Sequence, residues 1–325
     1  MNSINSIAVI GLGEIAERHR RNLKSLIPKA KIISIPTRGK LPSTSIAYAD
    51  KVMTNPDLVF KYDLSFAIIA SPATFHLKFA QKFIENRIPT LIEKPIASDV
   101  KDAIQISQLA NQYSTPVRIG YCLRYLPSIV AVKEALAKEQ LGRIFYISIE
   151  AGQYLPFWRP NTDYRKTVSA KRSLGGGVLL ELSHELDYIQ WLFGEVTVHN
   201  SILSYSQELN LEVEDCADIT LKGKNSEVIN LHLDFLQKKP SRKCRIVGTH
   251  GTIEWDLIQN SVYLFNESSN CKLYSNKNFD INNIYIDMMK DFLNVLKNKD
   301  SIIATPVEAI RTIHLIKQIS ENNTA

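Results

Sequence analysis

The chain contains few cysteines, and none of them belongs to a recognisable motif. Cys122, Cys216, Cys244 and Cys271 are widely scattered among 325 residues and form no CxxC pair. This spacing argues against a disulfide framework and against a zinc site. It fits a protein of a reducing cytoplasm.

Long hydrophobic runs are also missing. The apolar stretch Phe66 to Ala70 falls far short of the ~18 residues that a membrane span requires. Residues 1–6 put no basic side chain ahead of the first apolar stretch, so we expect no signal peptide. These absences favour a cytoplasmic protein without a membrane partner, and its length suits two globular domains.

Acidic residues are absent between Arg18 and Ala49, where eight Lys or Arg residues stand. A solvated helix face explains the basic residues that fall within a predicted helix. For those beyond the helix, the alternative is a phosphate-binding site. No DNA-binding motif and no basic stretch interleaved with aromatic residues accompanies this charge, so we expect no nucleic-acid partner.

Short apolar strands alternate with helical patterns from residue 6 to about Cys122. This order predicts a doubly wound parallel sheet with right-handed crossovers. After Cys122, one helix leads into a long stretch of alternating apolar and polar residues, as in a sheet with one covered face. We therefore predict an α/β protein with domains at 1–122 and 123–325, and we interpret the Asn-rich residues 268–283 as a connection before two closing helices.

A glycine-rich turn follows the first predicted strand. Gly11-Leu12-Gly13-Glu14-Ile15-Ala16 matches the pattern G-x-G-x-x-G/A between a strand and a helix. In this pattern the first glycine permits a tight turn, the second lets a pyrophosphate approach the backbone, and Ala16 allows close helix packing. The pattern predicts a Rossmann domain that binds a dinucleotide, and the alternative is a purely structural turn.

The end of the second predicted strand carries no acid that could bind a ribose 2′-hydroxyl. It reads Pro36-Thr37-Arg38-Gly39-Lys40, in which Arg38 could hold a 2′-phosphate and Thr37 could donate a hydrogen bond. We therefore expect NADP to be preferred over NAD. The alternative is that these cations lie in solvent and the protein uses NAD without an acidic contact.

Two other predicted strands end in polar residues. The run 64–70 ends at Ser71-Pro72, and the run 89–92 ends at Glu93-Lys94-Pro95. In open α/β sheets, ligands bind at the carboxyl ends of the strands. Lys94 is therefore a candidate reaction-site residue.

A second polar cluster follows three glycines, Gly175-Gly176-Gly177. Glu181, His184 and Asp187 stand at i, i+3 and i+6 of a predicted helix, which puts neighbouring members on roughly one face. A histidine with a pKa near neutrality could exchange a proton with an alcohol. For Asp187, a helix salt bridge and a substrate hydroxyl contact both remain open.

Taken together, these motifs resemble the Gfo/Idh/MocA family of sugar and inositol oxidoreductases. The matching segments are the N-terminal glycine turn, Ser71-Pro72 with His76, Glu93-Lys94-Pro95, Arg124-Tyr125, His184-Glu185-Leu186-Asp187 with Trp191, and Gly248 with Gly251. The resemblance implies a Rossmann domain followed by a domain with a large, mostly antiparallel sheet. It also implies a homodimer or homotetramer that assembles through this sheet.

The resemblance further implies roles for individual residues. Lys94 resembles the active-site lysine of the family and His184 its acid/base. The family often has Asp four residues before that histidine, where this chain has Leu180, so Glu181 could substitute for it. No metal is implied, and a cis peptide before Pro95 is common. The remaining candidates for the cofactor are Ser71, Pro72, His76, Glu93 and Lys94, with a structural role as the alternative for His76. Those for the substrate are Lys94, Arg124, His184 and Asp187.

An aromatic and basic stretch precedes the three glycines. Tyr154 and Trp158 could stack on sugar faces, and Arg159 and Arg165 could bind a carboxylate or phosphate. We expect a hydride transfer between NAD(P) and a secondary alcohol or ketone of an anionic sugar, such as a nucleotide sugar, a uronate or a sialic-acid-like compound of surface-polysaccharide synthesis. Alternatively, this stretch packs against another subunit, or the protein is a non-catalytic regulator that senses dinucleotides or sugars.

Overall fold

The computed structural model describes residues 4–158, 160–267 and 270–323. Contacts divide the chain into two compact units. The first extends to Cys122 and also contains Tyr285–Ile313, and the second contains Leu123–Ile284 and the residues from His314 onward. The domains predicted from the sequence, 1–122 and 123–325, differ from this division because they assign residues 285–313 to the second domain. Residues 285–313 return because Ile119, in a strand of the first unit, pairs with Ala304 in an isolated antiparallel bridge.

The first unit is built on a six-stranded parallel sheet of order β3-β2-β1-β4-β5-β6. Its strands are β1 (Ser6–Ile10), β2 (Lys31–Ile35), β3 (Lys51–Val52), β4 (Leu64–Ile69), β5 (Thr90–Glu93) and β6 (Val117–Gly120). All five residues of β1 are buried, as expected for a central strand that is covered on both faces. This architecture confirms the predicted doubly wound sheet.

The helices connect these strands and close the first unit. They are α1 (Glu14–Leu26), α2 (His76–Glu85) and α3 (Val100–Gln112), with most of α8 (Asn282–Val295) and the first half of α9 (Pro306–Glu321). Asp99 accepts a hydrogen bond from the Asp102 N–H and thereby caps α3. On α8, Phe292 packs edge-on against Phe66 of β4, which anchors the returning segment to the sheet.

The second unit contains an eight-stranded sheet of order β14-β13-β12-β11-β7-β10-β9-β8. Only β7 and β10 pair in parallel, and every other pair between its named strands is antiparallel. The strands are β7 (Ile144–Gly152), β8 (Val196–Ser204), β9 (Cys216–Gly223), β10 (Val228–Asp234), β11 (Ser241–Gly248), β12 (Thr252–Asp256), β13 (Ser261–Phe265) and β14 (Asn270–Ser275). The predicted large, mostly antiparallel sheet is therefore confirmed.

One face of this sheet is apolar and packs against helices. The helices that lie entirely within the unit are α4 (Pro127–Ala137), α5 (Leu155–Trp158), α6 (Val178–Glu181) and α7 (Ser183–Phe193), and the second half of α9 also belongs to it. Trp255 of β12 is fully buried, where its Nε1–H donates to the Ser128 hydroxyl of α4 and its ring packs against Tyr188 of α7. The opposite face carries polar residues at alternate positions, as a sheet with one solvated side requires.

Strand β14 was missed by the sequence analysis, which interpreted residues 268–283 as a connection. Asn270, Lys272 and Ser275 hide the strand pattern because they are residues typical of loops and surfaces. In the structure, Leu264 pairs with Cys271, and β14 forms the edge of the sheet. No residue of β14 is fully buried, so its sequence lacks the regular apolar alternation that would signal a strand.

Short 3₁₀ helices fill several of the connections in both units. They are Pro56–Lys61, Ala73–Phe75, Cys122–Tyr125, Tyr164–Lys166, Val168–Ala170 and Arg172–Leu174. Within the described ranges, none of the helices combines the length and the hydrophobicity needed to traverse a lipid bilayer.

Candidate active site

The glycine turn after β1 depends on the lack of a side chain at Gly11. This residue adopts φ +108°, and a Cβ there would collide with the Ala70 carbonyl at the end of β4. Its N–H donates to the Ile35 carbonyl at the end of β2, at 2.9 Å. Gly11 therefore joins the ends of three adjacent strands, and a larger residue would push them apart.

Gly13 has a different environment, because it faces open space. It is the N-cap of α1, is exposed, and would have no heavy atom within 4 Å of an added Cβ. No side chain caps the helix, so the first N–H groups of α1 remain available to an anion. Packing within the protein does not require glycine here, whereas the close approach of a pyrophosphate would. The residues present therefore fit a dinucleotide.

These two glycines should respond differently to substitution. We expect Gly11→Ala to lower the free energy of unfolding by about 1–3 kcal/mol from backbone strain alone. Gly13→Ser should keep or raise stability, because Ser is a good N-cap and Gly13 already has extended backbone angles. The same variant should raise the Kd for NADH, because the new side chain occupies the space left for phosphate.

Urea unfolding and NADH fluorescence titration separate these two effects. If Gly13→Ser binds NADH as tightly as the natural chain, phosphate does not occupy that space.

The end of β2 presents the predicted phosphate contacts to solvent. Thr37 is half-buried, and Arg38 and Lys40 are exposed. The first acid after this strand is Asp50, whose carboxylate accepts hydrogen bonds from Lys24 Nζ at 2.6 Å and from the Ile32 N–H at 2.7 Å. Asp50 is therefore held by α1 and β2, and residues 36–49 contain no acid.

Lys94 follows β5 and is held by a buried acidic neighbour. Glu93 is 7% exposed, and one carboxylate oxygen lies 2.6 Å from His19 Nε2 of α1. Its other oxygen accepts from the Lys94 N–H at 3.2 Å. Gly120 of β6 leaves the space that this carboxylate fills. Glu93 therefore fixes the backbone of Lys94, and its contact with the cofactor stays a prediction. The Lys94–Pro95 peptide is cis, as the resemblance implied.

His76 joins the same strand ends through its ring. Nε2 lies 2.8 Å from the Ser71 carbonyl, and Nδ1 lies 3.0 Å from the Pro95 carbonyl. The ring is 1% exposed, and its burial lowers the pKa of His76, opposed by the neighbouring carbonyls. These contacts favour the structural alternative for His76, in which its ring links the Ser71 carbonyl to the Pro95 carbonyl.

The helix after the three glycines is interrupted, contrary to the sequence prediction of one continuous face. Glu181 ends α6, Leu182 adopts φ −97° and ψ 27°, and His184 lies in the first turn of α7. The Glu185 N–H bonds three residues back to the Leu182 carbonyl instead of four, which tightens the turn. Glu181 and His184 therefore lie on two consecutive short helices, and both are half-buried.

Arg124 and Asp187, which were candidates for substrate contact, bind each other. Arg124 Nε donates to one carboxylate oxygen at 3.0 Å and Nη2 donates to the other at 2.7 Å. Both side chains are 3% exposed, and the guanidinium also lies 5.4 Å from the ring centre of Trp191. Of the two roles left open for Asp187, this geometry favours the salt bridge, and it makes Arg124 a partner of α7.

Two further acids near this region, the buried Glu185 and the half-buried Glu214, were not among the predicted site residues. Glu185 is fully buried, and Arg242 of β11 donates to it at 2.6 and 2.9 Å. Glu214 accepts from the Leu179 N–H at 3.3 Å, and a Cβ on Gly177 would collide with its carboxylate. Burial raises the pKa of Glu214 above that of an ordinary carboxyl group. Arg242 is distant in sequence from Glu185, and Leu179 from Glu214, so only the fold brings these residues together.

The aromatic and basic stretch folds partly onto its own unit. The Tyr154 hydroxyl donates to Glu208 at 3.1 Å, Lys238 lies over the Tyr154 ring, and Trp158 packs edge-on against Phe235. Arg165 is exposed, and its Nε donates to Asp163 at 2.9 Å. Arg159 lies outside the described residues.

The structure thus gathers the predicted residues into two groups. In the first unit, β1, β4 and β5 are adjacent, so the glycine turn, Ser71-Pro72 and Lys94 lie at one edge of one sheet. In the second unit, Glu181, His184 and the Arg124–Asp187 pair belong to two helices and the segment before α4. The convergence of Lys94 with His184 stays a prediction.

Fold and motifs define an oxidoreductase with a nucleotide-binding domain. Residues 5–121 match the family model described as "Oxidoreductase family, NAD-binding Rossmann fold", and residues 133–322 match "Oxidoreductase family, C-terminal alpha/beta domain". The chain therefore belongs to the Gfo/Idh/MocA oxidoreductase family.

Sequence relatives include an uncharacterized oxidoreductase of Synechocystis, 31% identical over 46% of this chain and 42% of that protein. An inositol 2-dehydrogenase of Acidothermus cellulolyticus is 24% identical over 58% of this chain and 53% of that protein. The chain thus matches about half the length of these relatives.

Solved structures share the fold over nearly the whole chain. A levoglucosan dehydrogenase in complex with NADH and levoglucosan gives a TM-score of 0.85 at 14% identity, covering 98% of both chains. The WlbA dehydrogenase from Bordetella pertussis, in complex with NADH and UDP-GlcNAcA, gives 0.81 at 16% identity and covers 99% of this chain and 96% of that one. At these identities the likeness establishes the fold alone.

Proposed function

We propose that this protein transfers hydride between a nicotinamide cofactor and a secondary alcohol or ketone of an anionic, sugar-like substrate. The observation that carries the proposal is the position of Lys94, which follows β5 at the sheet edge that also bears the glycine turn. Membership of an oxidoreductase family with an NAD-binding domain supports the same reaction class. No metal is assigned to this reaction.

In the proposed reaction, the protein binds the alcohol and moves its proton. The Lys94 ammonium group stabilises the developing negative charge on the substrate oxygen. His184 accepts the hydroxyl proton and returns it in the reverse direction, with Glu181 orienting the ring. A bound nicotinamide cofactor would provide the acceptor or the donor of the hydride. Glu93 and His19 hold the Lys94 backbone while this happens.

We further propose NADP as the preferred cofactor, with Arg38 binding its 2′-phosphate. The exposed position of Arg38 and the prior engagement of Asp50 support this preference. Loss of one charged hydrogen-bonding partner is worth about 1.5–3 kcal/mol, so Arg38→Ala should lower kcat/KM for NADP by ~10–100-fold. It should leave kcat/KM for NAD nearly unchanged.

The ratio of kcat/KM for the two cofactors measures this preference directly. Lys29→Ala, at another exposed basic residue of the first unit, is the matched control. A clear preference of the natural chain for NAD would contradict the proposal.

The substrate proposal is supported by the names of similar proteins and by the exposed Arg165. These proteins include a glucose-6-phosphate 3-dehydrogenase of Bacillus subtilis, 23% identical over 70% of this chain, and the WlbA structure with UDP-GlcNAcA. A nucleotide sugar of polysaccharide synthesis would offer sugar faces to the rings of Tyr154 and Trp158 and a negative charge to Arg165.

A substrate panel tests the reaction and the charge preference together. It contains inositol, levoglucosan, glucose 6-phosphate and UDP-N-acetylglucosamine, each with NAD and NADP, and turnover is followed at the absorbance band of the reduced nicotinamide. We expect anionic sugars to react fastest, and Arg165→Ala to raise KM for an anionic sugar more than for a neutral one. Binding of sugar and cofactor without turnover would favour the alternative, a regulator of the same fold.

We also propose that the protein forms a homodimer or homotetramer through the polar face of its large sheet. Exposed hydrophobic residues on this face, Ile202 and Tyr263, support an interface. Light scattering of the purified chain should give two or four copies, and Tyr263→Glu should reduce that number. If the natural chain and Tyr263→Glu are both monomers, the proposal is contradicted.

The cytoplasmic location of the protein stays a prediction.

A further inference from the structure

Four polar residues form a compact array on the polar face of the large sheet, the face through which we propose that copies of the chain associate. Cys216 and Asp218 alternate along β9, and His232 and Asp234 alternate along β10. The antiparallel register places His232 opposite Asp218 and Asp234 opposite Cys216. All four side chains therefore project from one face over two adjacent rungs, outside the candidate active site.

Three of these residues offer ligand atoms in one small volume. The ligand atoms of Cys216, Asp218 and His232 all lie within 4.8 Å of one another. Cys216 Sγ is 4.0 Å from Asp218 Oδ2, and His232 Nδ1 is 2.7 Å from Asp218 Oδ1. A tetrahedral zinc with bonds of ~2.0–2.3 Å separates its ligand atoms by ~3.3–3.7 Å, so small side-chain rotations would complete the site.

Asp234 fixes the orientation of the His232 ring. His232 Nε2 lies 3.1 Å from the Asp234 carboxylate, which is almost fully buried and leaves Nδ1 directed at Asp218. Asp234 itself accepts from the N–H groups of Leu236 and Gln237 at 2.6 and 2.7 Å. Metal-bound histidines commonly have such a carboxylate on their second ring nitrogen.

Glycine makes room for this carboxylate. A Cβ on Gly152, at the end of the neighbouring strand β7, would collide with Asp234. Glu150 of β7 is paired with His232 and lines the same shallow groove, which adds negative charge beside the ligand atoms. The surroundings of the array therefore hold the histidine in place and attract a cation.

We propose that Cys216, Asp218 and His232 Nδ1 bind one divalent transition-metal ion, with zinc as the best match. A thiolate, an imidazole and a carboxylate together suit zinc, whereas magnesium and calcium prefer oxygen ligands alone. Three protein ligands leave a fourth position for water. Metal binding releases two protons to solvent. One is the thiol proton of Cys216, and the other is the proton that His232 shares with Asp218.

Equilibrium dialysis of the full chain against zinc chloride tests the site, with bound metal measured by atomic emission. We expect one zinc per chain, and loss of tight uptake in Cys216→Ser, Asp218→Asn and His232→Asn. Asp234→Asn, which changes only the residue behind the histidine, should weaken binding by ~10–100-fold. Cys271→Ser, at an exposed cysteine of β14, is the matched control and should bind zinc normally.

Cobalt provides a second measurement that does not depend on zinc stoichiometry. The Co²⁺-loaded natural chain should show a thiolate charge-transfer band that Cys216→Ser lacks and Cys271→Ser keeps. Thermal unfolding confirms that each variant folds, and Asp218→Asn is the safest of them because its side chain is exposed. Uptake that is unchanged in the three ligand variants, or lost in Cys271→Ser, would overturn the proposal, as would no uptake by the natural chain. None of these readouts requires dehydrogenase activity.

Discussion

Lys94→Ala is expected to lower kcat by about 10²–10³-fold, the loss typical of removing one group that stabilises a developing oxyanion. Lys94 follows β5 at the sheet edge with the glycine turn, and its backbone is fixed by the buried Glu93–His19 pair. The variant removes the ammonium group and leaves this pair in place. Its Kd for NADH and its melting temperature should therefore remain close to those of the natural chain.

Turnover of a reactive sugar from the substrate panel measures the effect. Lys101→Ala, at an exposed lysine in the first turn of α3, is the matched control and should retain full activity. A Lys94→Ala variant with nearly normal kcat would rule out the proposed role. Equal losses in kcat and in NADH affinity would instead indicate that Lys94 holds the cofactor.

Asp187→Asn is expected to lower the free energy of unfolding by about 3–5 kcal/mol, because it leaves the Arg124 guanidinium buried without its counter-charge. Both side chains of this pair are 3% exposed, and two hydrogen bonds join them. Replacing both partners, as in Arg124→Met with Asp187→Leu, should recover much of the lost stability. Hydrophobic residues of similar volume often replace buried ion pairs without net cost.

Urea unfolding of the natural chain and the three variants gives these energies. The matched control is Asp287→Asn, which breaks an ion pair with Lys290 on the surface of α8 and should cost less than about 1 kcal/mol. If Asp187→Asn is no more costly than this control, the pair is not important for stability. If stability survives but KM for the sugar rises, Asp187 contacts substrate after all.

The first unit was the easier part to predict from the sequence. The strand, glycine turn and helix at residues 6–26 are local in the chain, so residue types and spacing identify them without knowledge of the rest. The same holds for the capped helix after Asp99 and for the lysine that follows β5. His19 of α1 is fully buried, but its partner Glu93 lies 74 residues away, so only the fold brings the two together.

Other features could not be predicted because their cause lies elsewhere in the chain. The break at Leu182 separates Glu181 from His184, although the residues there are compatible with one continuous helix. Strand β14 exists because β13 offers an open edge. Residues 285–313 join the first unit because the sheet there provides Phe66 and Ile119 as partners.

Residue types and their spacing were enough to predict the class of each unit and the residues of the proposed reaction, because periodicity, glycine turns and strand ends are properties of neighbouring residues. Which charged side chains come into contact depends instead on the three-dimensional fold. Arg124 meets Asp187, Arg242 meets Glu185, and Cys216 lies beside His232. The reason is physical: a charge or a ligand atom acts over a few ångströms of space, and strand register and helix packing bring these atoms together from distant parts of the chain.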